Sequence, residues 1–554
     1  MKKKGFKALT LALSVLLAIA TACSSGNDSP KNSPAPDNEK SNEVKDGPFV
    51  KYDPPIEITT VRASGPTTKY LPGETAENNV WTKGYLNELG IKVKYDWIAT
   101  PGDEFTQKFN VTLASGEIPD FITVNSQQLK QLVDANMLED LTEVYKKYAS
   151  DLTKKTIEDY GPIPLKASTF NGKLMAIPYV NAPIDSAQLL WVRTDWLKKL
   201  NLPEPKTMAD VLKISEAFTT QDPDGNGKHD TFGLALSKDI YGGGYAGLPG
   251  FFSAYHANPR NWIKDASGKL VFGSTLPEYK TALAELQKLF KAGQLDKEFG
   301  VKNGAAVVET IVSGKVGLNF GAMWNPLNPF QDLKKKDPNS DWKAYPLPSI
   351  DGQPAKPVIG AGVGTFHVVK KGAKHPAALM KMTNFFIEKG FGKNPQQEIY
   401  FKNNGVEVFA HAHFVTWPPK NLQIHLNIKK AIESKDESKL NPEEKANLEF
   451  MRKFDASGDA EGWAYKNVFG PEGSYKAINH YVTNNLTISN QFYGLPTKTM
   501  TEKMATLDKM EIEMATKIIM GAPLDEFDKF VADWKRLGGD AITQEVNDWL
   551  KTQQ

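Results

Sequence analysis

The residues whose types and spacing could support chemistry lie in one short segment, 222–230, which reads DPDGNGKHD. Side-chain oxygen atoms stand at its first, third, fifth and ninth positions, which are Asp222, Asp224, Asn226 and Asp230, and a glycine at the sixth allows a sharp turn. The main-chain carbonyl of Lys228, at the seventh position, adds one more oxygen. Calcium takes several oxygen ligands from loops of this kind. The spacing therefore predicts a structural calcium site.

The predicted calcium site lacks one usual ligand. An EF-hand loop ends in a bidentate glutamate at its twelfth position, where this chain has Gly233. Water or a residue elsewhere must then complete the coordination. The alternative is a surface turn rich in aspartate, asparagine and glycine that binds no metal. A second candidate, His411 and His413, has no third ligand at a recognisable spacing, so we interpret it as a surface pair.

The N-terminus has the pattern of a secretory signal. Lysines precede an apolar run at residues 8–20, and this run is shorter than the roughly 20 residues needed to span a bilayer. Cys23, the only cysteine, cannot form an internal disulfide and resembles the lipidated cysteine of bacterial lipoproteins. We expect residues 1–22 to be removed and Cys23 to carry lipid. The alternative is ordinary secretion with a free cysteine.

The segment after this cysteine predicts a flexible tether. Residues 23–48 contain mainly serine, asparagine, proline and charged side chains, a composition that cannot form a core. A lipidated N-terminus would anchor the folded part to the outer face of the bacterial cell membrane. The predicted location is therefore extracellular and membrane-anchored.

Composition excludes several classes of partner. The formal net charge of the whole chain is +2, and no basic stripe or glycine-rich phosphate loop is present, so nucleic acid and phosphate cofactors are not expected. With 40% hydrophobic and 24% charged residues the chain is ordinary for a globular protein, and its length predicts at least two lobes.

Hydrophobic patterning predicts an α/β fold. Alternating apolar residues at 56–60 and 91–97 flank a helical pattern at 80–89, which indicates a β-α-β opening. The strand at 121–124 is expected to continue a parallel sheet. Thr207 and Asp210 indicate a capped helix that leads to the calcium loop. Trp196 and Trp534 have the helical spacing of packing residues, and Arg193 and Asp195 either pair or cap a helix.

Several motifs together resemble extracellular solute-binding proteins, family 1. They cover nearly all of the chain after the tether, and they are RTDWL at 193–197, LPEPKT at 202–207, the calcium loop, GQLD at 293–296, SGKVG at 313–317, YPLP at 345–348 and GLPT at 494–497. The likeness is strongest to the lipoprotein branch of ABC importers that includes alginate-binding and LplA-like proteins, where a calcium loop of this form also occurs. Thr231 departs from the acidic residue of the alginate-type loop.

The resemblance implies a two-lobed periplasmic-binding-protein type II fold, with a hinge near 180–190 and the ligand between the lobes. The implied division is lobe 1 at 49–184, lobe 2 at 185–357, a return to lobe 1 at 358–428, and C-terminal helices on lobe 2 at 429–554.

Aromatic side chains are the expected ligand-binding residues, because sugar rings stack on them. Trp324, which follows a predicted strand, resembles the stacking tryptophan of maltose-type relatives. The further candidates, in order of preference, are Phe251, Phe252, Tyr255, Trp81, Trp417 and Trp463.

The predicted function is capture of an oligosaccharide and its delivery to an ABC permease by a monomeric protein without enzymatic activity. The alternatives are a secreted carbohydrate-active enzyme with two carboxylates beside a cleft and a calcium-stabilised surface or sensory module. Sugar and peptide solutes are both compatible with the fold. A uronic-acid ligand would require lysine or arginine in the cleft, whereas a neutral glycan would not.

Overall fold

The computed structural model describes residues 46–66, 68–360, 362–494 and 496–552. The predicted signal peptide, Cys23 and all but the end of the predicted tether lie outside the described residues. Folded structure begins near Gly47, because the side chain of Lys381 donates to the carbonyl of Val50 at 2.6 Å and that of Asn384 donates to Pro48 at 3.3 Å. Within the described ranges, no helix is both long and apolar enough to cross a membrane.

The strands of the described chain form six small sheets. They are β1 (Ile56–Ala63), β2 (Ile91–Ala99), β3 (Phe121–Asn125), β4 (Thr169–Phe170), β5 (Lys173–Leu174), β6 (Ile177–Val180), β7 (Leu189–Arg193), β8 (Phe232–Leu234), β9 (Trp262–Lys264), β10 (Leu270–Phe272), β11 (Val316–Gly321), β12 (Trp342–Tyr345), β13 (Val358–Ile359), β14 (Val363–Val369) and β15 (Ile488–Ser489).

The described chain also contains 21 α-helices. They are α1 (Val80–Gly84), α2 (Asp103–Ser115), α3 (Ser126–Asp134), α4 (Thr142–Tyr148), α5 (Asp151–Glu158), α6 (Ile163–Ala167), α7 (Thr194–Lys199), α8 (Met208–Thr220), α9 (Pro249–Ala254), α10 (Pro277–Lys291), α11 (Gly304–Val312), α12 (Gln331–Lys336), α13 (Ala377–Phe391), α14 (Gln397–Tyr400), α15 (Asn421–Ser434), α16 (Pro442–Ser457), α17 (Ala460–Phe469), α18 (Ser474–Thr483), α19 (Lys498–Ile519), α20 (Asp525–Trp534) and α21 (Asp540–Lys551).

Local sequence signals explain several helix starts. The Thr207 hydroxyl accepts from the amide of Asp210, whose carboxylate accepts from the amide of Thr207, so α8 begins with the predicted capping box. Asn125 and Gln128 form the same arrangement at the start of α3, directly after β3. These reciprocal bonds satisfy amides that would otherwise have no helical partner.

The predicted β-α-β opening is confirmed, because β1 and β2 pair in parallel. The parallel continuation to 121–124 is wrong. β3 pairs antiparallel with β14, which also pairs antiparallel with β6. A short apolar strand has the same pattern in either kind of sheet, and its partner here is far away in sequence.

Buried hydrophobic side chains separate the molecule into two lobes. Lobe 1 contains two clusters formed by residues in 58–180 and 366–414, on either side of the sheet β3-β14-β6. Lobe 2 contains one cluster formed by residues in 187–355 and 424–546, around the sheet β12-β7-β11-β8. The implied two-lobed α/β fold is confirmed. Ile424 and Ile428 belong to the lobe 2 cluster, so α15 packs on lobe 2 shortly before the implied boundary.

Three connections join the lobes, between Val180 and Ala187, between Ala355 and Val363, and between Trp417 and Leu422. In the first, the carboxylate of Asp185 accepts from the Tyr475 hydroxyl at 2.7 Å and from the Asn421 amide at 2.8 Å. In the second, β13 pairs in parallel with β15. The predicted hinge at 180–190 covers the first connection.

Candidate functional site

A cavity of about 890 Å³ lies between the two lobes. Its lobe 1 wall comes from α3, α6 and β14. Its lobe 2 wall comes from Gln188 just before β7, from α9 and the loops on either side of it, and from segments near β15, α19 and α21. The second lobe connection, through β13, also contributes. The described residues that line it include Ser126, Lys166, Val363, Phe366, Gln188, Tyr241, Phe252, Ser253, Asn258, Arg260, Asn261, Ile359, Asn490, Phe492, Tyr493, Met500 and Trp549.

In the described part of this wall, two buried side-chain oxygen atoms have no protein partner. Gln188 uses its amide nitrogen to donate to the carbonyl of Gly243 at 2.7 Å, but its Oε1 accepts no hydrogen bond. The hydroxyl of Ser253, in α9, is also unpaired. Because buried polar atoms are costly to leave unsatisfied, these groups are suited to hydrogen bonding with a polar molecule in the cavity.

Aromatic rings form one edge of the cavity. The Tyr493 side chain is 44% exposed, and its ring meets the Trp549 ring edge-on with centroids 4.8 Å apart. Phe492 packs against the same indole. A Cβ atom at Gly494 would lie 2.7 Å from Nε1 of Trp549, so glycine permits this close approach. The arrangement provides a partly exposed apolar surface on which a sugar ring can stack.

Arg260 is a charged residue of the cavity wall that several contacts hold in place. Its backbone is in the left-handed region, with φ of 64°, and its amide donates to Oγ of Ser274 at 2.7 Å. Its guanidinium lies 4.0 Å from the ring centroid of Tyr241 and 3.6 Å from Oε2 of Glu511. Strained backbone geometry of this kind persists only where the surroundings hold it.

The carboxylate of Glu511 is buried behind Arg260. It accepts from the hydroxyls of Tyr241 and Ser274 at 2.7 and 2.8 Å. Burial raises the pKa of Glu511 to about 7, although Arg260 and the hydrogen bonds act in the opposite direction. The group therefore supports Arg260 from the protein side and does not itself line the cavity.

The predicted aromatic residues are mostly elsewhere. Only Phe252 lines the cavity, and its ring is fully buried. Phe251 stacks on Tyr255 within the lobe 2 core. Trp324 is partly buried beside Gly244 and meets the ring of Tyr245 edge-on. Phe251, Tyr255 and Trp324 do not line the cavity.

The remaining predicted tryptophans pack within the lobes. Trp81 is fully buried in lobe 1, and Trp463 is 1% exposed in lobe 2 with its indole nitrogen donating to Asp341 at 2.9 Å. Trp417 lies among phenylalanines of lobe 1. A ring without exposed surface cannot stack on a ligand, so the structure assigns Trp81 and Trp463 to the cores.

Sequence reasoning missed most of the cavity residues. Gln188, Ser253 and Arg260 are single polar residues without a motif, and their common position depends on the fold. The GLPT motif at 494–497 indicates the aromatic edge only indirectly, because its glycine, Gly494, packs closely against Trp549.

Two carboxylates of the predicted calcium loop pair with a lysine from another segment of the chain. The ammonium of Lys315 donates to both Asp224 and Asp230 at 2.8 Å. Partial burial acts against the charged ammonium, but these hydrogen bonds outweigh it and raise the pKa of Lys315. The same pairing lowers the pKa of Asp230. The carboxylate of Asp222 accepts from amides of the loop, including that of Gly227 at 3.0 Å.

The oxygen donors of this loop suit calcium in type but not in their present arrangement. Among the described residues, no three or more His, Cys, Asp or Glu side chains are gathered as a metal site. Asp224 and Asp230 already converge on one cation, the Lys315 ammonium. Calcium could use these carboxylates only if Lys315 withdrew.

The histidine pair is not on the surface as expected. His411 and His413 are buried, and their ring nitrogens bond to the carbonyl of Lys69 at 2.9 Å and to the hydroxyl of Tyr95 at 2.8 Å. Burial lowers the pKa of both. Both rings have packing roles in lobe 1.

The expected packing and pairing in lobe 2 are confirmed. Arg193 donates to both carboxylate oxygens of Asp195, at 2.8 and 2.5 Å. Trp196 and Trp534 are each 2% exposed.

Comparison with known proteins identifies sequence relatives. The pattern of the family described as bacterial extracellular solute-binding protein matches residues 68–392. The lipoprotein LipO of Bacillus subtilis is 25% identical over 86% of this chain and 89% of its own length. The polygalacturonan/rhamnogalacturonan-binding protein YtcQ of the same organism is 26% identical over 80% of this chain and 83% of its length.

Solved structures share the fold. The alginate-binding protein AlgQ2 superposes with a TM-score of 0.64 at 16% identity, over 90% of this chain and 98% of its own. The Streptococcus pneumoniae substrate-binding protein FusA, in complex with kestose, gives a TM-score of 0.63 at 17% identity, over 90% and 100%.

Proposed function

The chain belongs to the family of bacterial extracellular solute-binding proteins, and from this we propose that it captures an oligosaccharide and delivers it, as a monomer, to the permease of an ABC importer. The observation that carries the proposal is the cavity of about 890 Å³ with walls from both lobes. Its size is in the range of ligand sites. The names of YtcQ and of FusA, a fructooligosaccharide-binding protein, support a carbohydrate ligand.

The cavity residues suggest how an oligosaccharide would be held. Hydroxyl groups would bond to the unpaired atoms of Gln188 and Ser253, and a ring face would stack near Tyr493 and Trp549. Because a ligand would touch both lobes only when they are together, these contacts favour the closed state over an open one. The ligand is bound and released unchanged.

A panel of saccharides tests this function. We expect the melting temperature of the purified protein to rise with one oligosaccharide, because binding to the folded state adds about 2.7 kcal/mol at a hundred times the dissociation constant. Suitable probes are xylotriose, kestose, a galacturonate trimer and its methyl ester. Chromatography of the incubated saccharide distinguishes binding from hydrolysis, and a cleaved product would favour the alternative of a carbohydrate-active enzyme. No shift with any saccharide would contradict the proposal.

We propose that Cys23 anchors the protein through lipid to the outer face of the cell membrane. The signal-like N-terminus and the name of the relative LipO support this. C23A should move the protein from the membrane fraction to the medium. An unchanged distribution would contradict lipid anchoring.

We also propose that calcium stabilises the 222–230 loop by displacing Lys315 from Asp224 and Asp230. If so, K315M should bind calcium about tenfold more tightly than the unaltered protein, because the Lys315 ammonium no longer competes for the carboxylates of Asp224 and Asp230. Melting curves in calcium and in chelator measure the effect. K291M, which removes an exposed lysine from α10, is the matched control. If the melting temperature of each variant is the same in calcium and in chelator, the proposed calcium site is contradicted.

A further inference from the structure

The charged residues of the cavity are all cations. Among the described residues that line it, Lys166 and Arg260 are the charged ones, and no aspartate or glutamate is present. Lys166 lies in α6 on the lobe 1 wall, and Arg260 lies on the lobe 2 wall. An anion between the two walls would be attracted to both cations.

Arg260 is held so that part of its guanidinium remains available. One nitrogen, Nη2, donates to the carbonyl of Asp508 at 3.3 Å, and Nε lies near Glu511 without a hydrogen bond. Within the described chain Nη1 makes no hydrogen bond. The guanidinium carbon lies 4.0 Å from the centre of the Tyr241 ring, and this contact helps to hold the group in place. A planar guanidinium with free donors matches the two oxygens of a carboxylate.

Glu511 does not prevent a ligand from reaching Arg260. Its side chain is 1% exposed and its Oε1 atom is occupied by the hydroxyls of Tyr241 and Ser274. A ligand can therefore reach Arg260 but not the carboxylate behind it. Lys166 is exposed and forms no salt bridge within the ranges that the structure describes.

We propose that the captured ligand is an anionic oligosaccharide containing uronate residues, with one carboxylate bound by Arg260 and facing Lys166. This inference rests on the proposed function and specifies its ligand class. Neighbouring groups fit the rest of such a molecule, since Gln188 and Ser253 offer partners for hydroxyls and Tyr493 offers a ring surface. The anion would bind both walls at once and so favour closure of the lobes.

Calorimetric titration with a galacturonate trimer and with its neutral methyl ester tests the ligand charge at constant length. We expect the trimer to bind at least tenfold more tightly than the ester at the same salt concentration. R260M should weaken trimer binding by about 10- to 100-fold and weaken ester binding by a clearly smaller factor, because the ester lacks the charge that Arg260 pairs with. K166M, at an exposed position, should weaken trimer binding about threefold.

Two further variants control for loss of folding and for the removal of a positive charge outside the cavity. If R260M does not fold because Glu511 loses its partner, R260M/E511Q replaces the buried carboxylate with a neutral amide. K264M removes an exposed lysine of β9 outside the cavity and should not change trimer binding.

The outcomes separate the ligand class from the function. Equal binding of trimer and ester, or binding of neutral saccharides alone, would overturn the anionic class and leave saccharide capture intact. Binding of triglutamate as tightly as the trimer would overturn the assignment to a sugar. No binding of any saccharide would overturn both proposals.

Discussion

Replacing Trp81 with alanine is expected to reduce the free energy of unfolding by about 3–5 kcal/mol without changing ligand affinity in the folded protein. Trp81 is fully buried and lies against Phe386 with ring centroids 5.5 Å apart and against Tyr400 at 5.0 Å. Its indole nitrogen donates to the carbonyl of Val408 at 2.9 Å. The substitution removes a large ring and leaves this carbonyl unpaired, so cavity formation and a lost hydrogen bond both contribute.

Trp549 provides the matched comparison. This ring is half-buried at the edge of the cavity, so W549A should cost less stability than W81A and weaken binding of the preferred oligosaccharide by about tenfold. Urea unfolding followed by circular dichroism gives the stabilities, and calorimetric titration gives the affinities. A W81A protein of normal stability that no longer binds would show that Trp81 has a role in the site.

The stability of lobe 2 should fall as the pH rises from 4.5 to 8, because of Glu511. Its pKa is raised from 4.5 to about 7 by burial, so the folded state binds more protons than the unfolded state between these values. The stabilising contribution is therefore complete below pH 4.5 and is lost as the pH rises through 7. A shift of this size corresponds to about 3 kcal/mol.

The pH experiment takes account of the groups that surround Glu511. Arg260, Tyr241 and Ser274 are in contact with it, and Asp508 lies one helical turn earlier on α19. E511Q keeps the shape but cannot ionise, so its unfolding free energy should depend less on pH. Urea unfolding at pH 5 and pH 8 measures the difference. E513Q, an exposed substitution on the same helix, should follow the unaltered protein, and parallel profiles for all three would contradict the assignment.

Local structure was predictable from sequence because its causes are local. The capping residues Thr207 and Asp210 fixed the start of α8, and alternation of apolar residues identified β1 and β2. The partner of β3 was not predictable in this way. Its partner β14 comes from a distant part of the chain, and hydrogen bonds between strands carry no side-chain signature.

The candidate site was less predictable for the same reason. Residue type distinguishes tryptophan from serine but not a buried tryptophan from an exposed one, so the sequence favours Trp81 and Trp463 as stacking residues although both have packing roles. Arg260 acquires its role from Tyr241 and Glu511, which the fold brings beside it. Family resemblance located the site between two lobes, and only the structure identified the walls.

The cavity wall contains residues from almost the whole length of the described chain, from Ser126 in α3 to Trp549 in α21. Contacts between such distant segments form late, since long loops must close first. During biosynthesis a chain that has not yet produced and docked α21 therefore lacks part of its binding surface. A ligand that uses this surface would therefore bind complete, folded molecules in preference to chains that lack this helix.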